Sequence, residues 1–339
     1  MLPAETQAGL QTDRNQQHGE EIMTPHADLL RRHPANPIIT AADVPYSANS
    51  VFNPAATIRD GETTLLMRVE DRRGLSHLTV ARSADGVARW RIDAAPTFVG
   101  QPDEYPEEIW GVEDPRLTYV EEEQRWIVAY TAYSRGGPLV SLAATEDFET
   151  FERLGAVMLP ENKDAALFPV KFAGRWALIH RPVPPAGVGG AHMWISFSPD
   201  LTHWGDHGVL LKAREGGWWD ARKIGLSPPP LRTDHGWLIL YHGVRTTASG
   251  SIYRLGLALL DLENPRHVLK RSTEWLISPS EPYERFGDVA DVVFPCGWTL
   301  VDDEIRVYYG AADTCIGLAT GRLSELLAWL DEHDSPADE

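Results

Sequence analysis

Cysteine is nearly absent: only Cys296 and Cys315 occur in 339 residues. One possible pair cannot staple a chain of this length. That argues against a secreted disulfide scaffold and makes a reducing cytoplasm the expected setting, with both thiols as small buried apolar groups. Positive charge is also short, with 31 Lys and Arg against 49 Asp and Glu and a formal net charge of −18. Nucleic acid and anionic membranes both demand a basic surface, so neither is an expected partner. No apolar run approaches the roughly 20 residues of a membrane span. Met1 to Met23 is polar and glutamine-rich with no apolar stretch, so residues 1–24 are expected as a loose tail rather than a signal peptide. The histidines show no convincing metal-ligand spacing, and His203 with His207 falls in a Trp-Gly turn. No metal is expected.

Long helical patterns are missing too. Only Leu323–Trp329 reads as a good helix, with a shorter helical turn expected over His26–Arg32. The absence of helices between strands rules out a parallel βαβ sheet. What the chain does have is 25 prolines, 28 glycines and 12 tryptophans, the composition of many short strands and turns.

Those strands repeat. Asn53-Pro54, Asp114-Pro115, Phe168-Pro169, Ser227-Pro228 and Phe294-Pro295 each open an apolar strand, at intervals of 61, 54, 59 and 67 residues. A second strand follows each, ending at Arg68, Tyr130, His180, Tyr241 or Tyr308, and then a third. Three units add an edge phrase, beginning Ser83-Ala84-Asp85, Thr145-Glu146-Asp147 and Ser198-Pro199-Asp200. A β-sandwich would also show frequent turns, but a shared register across five units predicts a five-bladed β-propeller. The expected organisation is a single propeller domain over 25–331, a short C-terminal helix, and a tail over 332–339.

The most chemical of these strand openings is Trp110-Gly111-Val112-Glu113-Asp114-Pro115-Arg116. Proline is tolerated at a strand's first residue because that N–H need not join the ladder. Adjacent strand residues face opposite ways. Of Glu113 and Asp114, one can therefore face a cavity while the other ties down a loop or pairs with Arg116.

The first strand of each blade lines the central channel, so equivalent repeat positions converge. Near the strand openings stand Asn53, Asp114, Lys163, Asp164, Lys223 and Asp291. Near the second-strand ends stand Arg68, Arg135, His180, Arg181, His242 and Asp313. Arg68, Arg181, Lys223 and His242 together would make an anion site. Asp114, Asp291 and Asp313 would suit sugar hydroxyls and one general acid. Trp110, Trp218 and Trp219 could give a pyranose a stacking surface. Each has a plainer reading as an ion pair or packed side chain, and His180 is expected as a hydrogen-bonded strand histidine.

Eight segments, in order from about Asn36 to Leu330, resemble glycoside hydrolase family 130. They are Phe52-Asn53-Pro54-Ala55, Gly111 to Arg116, Asn162-Lys163-Asp164-Ala165-Ala166-Leu167-Phe168-Pro169, His180-Arg181-Pro182, Lys223-Ile224-Gly225, Tyr241-His242-Gly243-Val244, Val292 to Gly297, and Tyr309 to Thr314. Members of that family are five-bladed propellers, mostly β-mannoside phosphorylases with some β-mannosidases.

The resemblance implies inverting, reversible phosphorolysis of a β-mannoside, a manno-oligosaccharide (β-1,4-linked) or mannosyl-glucose, to α-mannose 1-phosphate. Inorganic phosphate would be co-substrate and no cofactor is implied. A homo-oligomer stays open. Asp114 matches the catalytic acid, whose proton would pass through the mannose 3-hydroxyl. Asn53, Arg68 and Asp313 match positions that hold the mannosyl unit or orient the acid, and Asp291 is grouped with them as a sugar contact. Arg181, Lys223 and His242 match the phosphate side.

Site chemistry agrees with that implication. An inverting hydrolase needs a second carboxylate about 6.5–9.5 Å from the acid to activate water. A phosphorylase needs cations to position an anionic nucleophile instead. Glu161, just before Asn162-Lys163, is the one residue set against phosphate. The alternatives are a β-mannosidase, a 1,2-linkage being one candidate substrate, and a sugar-binding propeller without catalysis.

Overall fold

Each repeat unit folds into one antiparallel sheet whose strands are short because a turn signal interrupts every apolar run. The structure is a computed structural model that describes residues 29–184 and 189–334. It contains five such sheets, arranged as a five-bladed β-propeller with a short C-terminal helix. The inner strands are Ser50–Arg59, Val112–Val120, Asn162–Leu167, Lys223–Leu226 and Val293–Val301, defining blades 1 to 5. No described helix is long and apolar enough to cross a membrane.

The fifth blade is closed by the start of the chain. Arg31–Arg32 pairs with Ala319 and Thr320 on the third strand of blade 5. The helical turn expected over His26–Arg32 is therefore corrected at Arg31–Arg32, which is a strand; residues 26–28 lie outside the described residues. Closure of the ring satisfies the blade's edge N–H and C=O groups, a demand no local sequence signal reports. Arg32 is anchored by donating to the buried Glu284 carboxylate at 2.7 and 2.9 Å.

The expected helix runs over Leu323–Glu332 and buries Leu326 and Leu330. Its N-terminus is capped from a distance, since Asp303 accepts from the Ser324 N–H at 2.8 Å and from its hydroxyl at 2.7 Å. Beyond it, Asp334 Oδ1 accepts from the Arg271 N–H at 2.9 Å. Residues 1–24 and 335–339 lie outside the described residues.

The edge phrases fold as Asx turns. Asp85, Asp147 and Asp200 each accept two backbone N–H groups two and three residues on, at 2.8–3.0 Å. Asp261 does the same in blade 4, where the sequence pattern was not seen.

The apolar core is divided into wedges between neighbouring blades rather than gathered in one mass. Leu66, Val80, Val128 and Phe148 fill the space between blades 1 and 2, and Ile127, Leu142, Leu167 and Leu178 that between 2 and 3. Phe168, Ile195, Trp237 and Ile239 pack between blades 3 and 4. Each such side chain contributes about 1.5–3 kcal/mol on burial, so the ring is held at its seams and the axis is left to polar groups.

In blades 1, 2 and 3 the inner strand bulges at one place, between Phe52 and Ala55, Glu113 and Arg116, and Lys163 and Ala166. The bulged residues are Asn53, Asp114 and Asp164, at φ of 46°, 47° and 55°. Asn and Asp tolerate this left-handed conformation better than most residues, and a bulge re-aims a side chain. Here it turns all three into the channel. The repeat register read from prolines needs correcting in blades 3 and 4. Phe168-Pro169 and Ser227-Pro228 follow the inner strand instead of opening it; the true equivalent in blade 3 is Asp164-Ala165, which carries no proline.

Candidate active site

The channel mouth holds a cavity of about 550 Å³ whose walls include Asn53, Arg68, Asp114, Lys163, Asp164, Arg181, Lys223, His242 and Asp313. Seven of the eight expected site residues thus share one cavity. Asp291 does not line it. It is half-buried and its carbonyl accepts from the Tyr253 N–H at 3.1 Å, so it shapes the loop behind the wall.

Asp114 is 3% exposed. Its Oδ1 accepts from Asn53 Nδ2 at 2.8 Å and Arg68 Nη1 at 3.0 Å, while Oδ2 accepts no hydrogen bond among the described residues. Arg68 also donates to Glu113 Oε1 at 3.1 Å and Ser76 Oγ at 2.9 Å, and its guanidinium lies 4.5 Å from the Phe52 ring centroid. The two adjacent acids take different jobs, but the bulge rather than plain alternation sets them: it turns Asp114 into the cavity, and both acids bind Arg68, which Glu113 anchors. Gly310 makes room, because a Cβ there would come within 2.0 Å of Asn53 Oδ1.

Arg116 does not pair with either neighbouring carboxylate. Buried at 1% exposure, it donates to the carbonyls of Asp114, Leu226 and Ser227 at 2.9–3.1 Å. It thereby ties the blade 2 bulge to blade 4.

The charges on this wall settle each other. Burial pushes the Asp114 carboxyl up, but Arg68, Lys163 and Arg116 outweigh it and hold the group below its usual value, ionised. Arg68 is raised despite burial by Glu113 and Asp114. Asp313 goes the other way: burial, helped by the Asp114 charge, lifts it to about 6 against the pull of Arg68.

The opposite wall is cationic. Lys163 and Arg181 are directly paired across blade 3, a like-charge pairing that costs stability unless something offsets it. Asp164 does so in part, accepting from Arg181 Nε at 2.7 Å. Neither Lys163 Nζ nor the two Arg181 Nη atoms have a hydrogen-bond partner among the described residues. Burial lowers Lys163, but Asp114, Glu113 and Asp164 overcome it and keep the ammonium charged. Lys223 lies 5.0 Å from the Tyr253 ring centroid. Burial and the neighbouring Arg181 push it down to about 8.

The cationic set expected from sequence is revised by burial and by pairing. Arg68 belongs to the acid wall. His242, at 0% exposure, is lowered to about 4 by burial against the opposing pull of Asp164, so it is neutral near pH 7. Lys163 supplies the cation that sequence reasoning collected without assigning. His180 is a strand histidine bonded to Asn162 Oδ1 at 3.1 Å and Ser196 Oγ at 2.7 Å, and Arg135 sits 5.9 Å from the Trp110 ring; neither lines the cavity.

The expected stacking trio is absent from the walls. Trp219 is buried against Tyr241, while Trp110 and Trp218 are exposed elsewhere. The cavity aromatics are Tyr253 and Phe294. Phe294 stood in a recognised strand-opening dipeptide; nothing marked Tyr253. Glu161 is exposed and outside the cavity, so it places no carboxylate beside the cations. No cluster of metal-ligating side chains occurs among the described residues.

A family model described as beta-1,4-mannooligosaccharide phosphorylase matches residues 24–332. The chain is 35% identical over 317 residues to the beta-1,4-mannooligosaccharide phosphorylase of Ruminococcus albus, covering 91% of this chain and 92% of that protein. It is 38% identical over 257 residues to the beta-1,2-mannobiose phosphorylase of Listeria innocua, covering 76% of this chain and 69% of that one. A solved structure of beta-1,2-mannobiose phosphorylase from Listeria innocua with beta-1,2-mannobiose superposes with a TM-score of 0.81 at 30% identity, over 90% of this chain and 99% of that chain. The chain belongs to glycoside hydrolase family 130.

Proposed function

We propose that this protein is an inverting β-mannoside phosphorylase that transfers the mannosyl unit of a short β-mannoside, β-1,4-linked manno-oligosaccharide first among them, to inorganic phosphate. The observation that carries the reading is the wall of Lys163, Arg181 and Lys223, with nitrogens unpaired among the described residues, facing Asp114 across the cavity. Water would need a free carboxylate on that side. The carboxylate there, Asp164, already accepts from Arg181 and faces His242 at 3.3 Å. Asp313 belongs to the acid wall, in the field of Arg68 and Asp114.

In this reading phosphate is drawn to the cations and one oxygen attacks the anomeric carbon from the face opposite the leaving oxygen. The C1–O bond breaks with inversion, and the leaving oxygen takes a proton that originates on Asp114 and travels through the mannose 3-hydroxyl. Asn53, Arg68 and Asp313 hold the sugar and the acid. Asp114 rests ionised, which suits the synthetic direction, where it must accept the acceptor's proton. For phosphorolysis it must first be protonated. A bound phosphate beside Lys163 and Lys223 offsets the cationic field that keeps Asp114 ionised, so nucleophile binding and acid protonation are coupled.

The two cysteines are buried and unpaired, which supports a reducing, cytoplasmic setting. The co-substrate is phosphate itself, and the reading requires no other cofactor.

The test is to incubate the enzyme with β-1,4-mannobiose, β-1,2-mannobiose and mannosyl-glucose, with and without phosphate. Release of α-mannose 1-phosphate only in the phosphate arm is expected. Equal free mannose in both arms would replace the reading with a hydrolase.

A further inference from the structure

Asp164 is the most completely buried charge at the cavity wall, at 0% exposure, and the reaction scheme gives it no chemical step. It sits in the left-handed bulge of blade 3, at φ 55°. Its Oδ2 accepts from Arg181 Nε at 2.7 Å and lies 3.3 Å from His242 Nε2. Arg116 Nη2 lies 3.6 Å from Oδ1. The backbone opposite is cut away for this contact: a Cβ on Gly225 would stand 2.3 Å from Asp164 Oδ2 and 2.6 Å from His242 Cε1. Binding Arg181 through Nε leaves both Nη atoms to the cavity. Facing Nε2 of His242, the carboxylate favours the tautomer protonated there, while Nδ1 sits 3.4 Å from Ser227 Oγ.

We propose that Asp164 is a positioning residue for the nucleophile: backed by His242, it sets the orientation of Arg181 that receives phosphate, and Gly225 is the clearance that lets it do so. The inference rests on the phosphorylase reading above. It has an electrostatic corollary. Lys223 faces Arg181, Lys163 and Asp164 from blade 3, Arg222 beside it, and His242 and Tyr253 from blade 4. Of these Asp164 is the negative charge that supports its protonation. Removing that charge moves the loss of Lys223's proton to lower pH.

The experiment is steady-state phosphorolysis by Asp164→Asn and Gly225→Ala, with phosphate varied at saturating mannoside, from pH 6 to pH 9. Asn fits the same bulge and backbone conformation. For Asp164→Asn the KM for phosphate is expected to rise about 10–100-fold, the range for a lost charge-assisted contact. The mannoside KM and the kcat at saturating phosphate stay within about threefold, and the alkaline limb of kcat/KM for phosphate shifts to lower pH. Gly225→Ala keeps the charge but displaces it, so it raises the phosphate KM in the same direction. An unchanged phosphate KM, an alkaline limb that does not move in Asp164→Asn, or equal losses in both substrates' KM would overturn the inference. Failure of both variants to fold would too, making Asp164 a stability residue. Phosphate-independent turnover by the wild type would instead overturn the phosphorylase reading, and the two failures are distinguishable.

Discussion

On the wall that carries Asp114, the acid and its arginine meet partners: Asn53 and Arg68 hold the acid, and Glu113 and Ser76 hold Arg68. Across the cavity Lys163, Lys223 and the Nη atoms of Arg181 have no hydrogen-bond partner among the described residues. Both walls use bulged inner strands, so backbone geometry does not explain the contrast. The partnered wall is preorganised for a neutral sugar, whose hydroxyls cannot by themselves fix an ion. The unpartnered wall keeps a like-charge repulsion that Asp164 offsets only in part, so an added anion relieves the rest and binds without reorganising the site.

The sharpest way to break the comparison is to remove the acid. Asp114→Asn should lower phosphorolysis by about 10²–10⁴-fold, the usual contribution of a general acid, with sugar affinity retained; mannose 1-phosphate release and mannoside titration read the two. Removing one unpaired cation acts differently. Lys163→Met should raise the phosphate KM about 10–100-fold with a smaller change in mannoside KM, and a loss shared equally by both substrates would merge the walls.

These two predictions also mark what the sequence could tell. The five blades, the inner strands of blades 1, 2 and 5, and the convergence of Asn53, Arg68, Asp114, Arg181, Lys223, His242 and Asp313 on one cavity were readable, because a repeat fixes where equivalent positions go. Asp291 lay near a strand opening as well, but it precedes the blade 5 inner strand, and Phe294 holds the position equivalent to Asn53 and Asp114. The blade 3 bulge was missed since Ala165 stands where blades 1 and 2 have proline. Closure by Arg31–Arg32 was missed because its partner lies almost 300 residues away. The neutral state of His242 depends on complete burial, and periodicity cannot report that for a polar strand end.

Two pH effects sharpen the contrast further. Lys223 titrates at about 8, so kcat/KM for phosphate should fall as pH rises through that value, while mannoside binding stays flat. Lys223→Arg should move the limb upward. Asp313 is raised to about 6 from 3.8. The native state therefore holds its proton more tightly than the unfolded chain, and the contribution of this group to stability is fully present below about pH 4 and lost as pH rises through about 6. Asp313→Asn should raise the melting temperature at pH 7 while weakening mannoside binding, as thermal melts and titrations would show. Smallest of all, Glu161→Gln should leave the phosphate KM within about twofold, as expected of an exposed side chain outside the cavity.

The central claim is that an anion occupies the unpaired wall, and a crystal soaked in phosphate tests it most directly. Density for one phosphate within hydrogen-bond reach of Lys163, Arg181 and Lys223, across the sugar subsite from Asp114, is the predicted result. A cavity that stays empty of phosphate at concentrations supporting turnover, or an ion bound away from those three side chains, would contradict it.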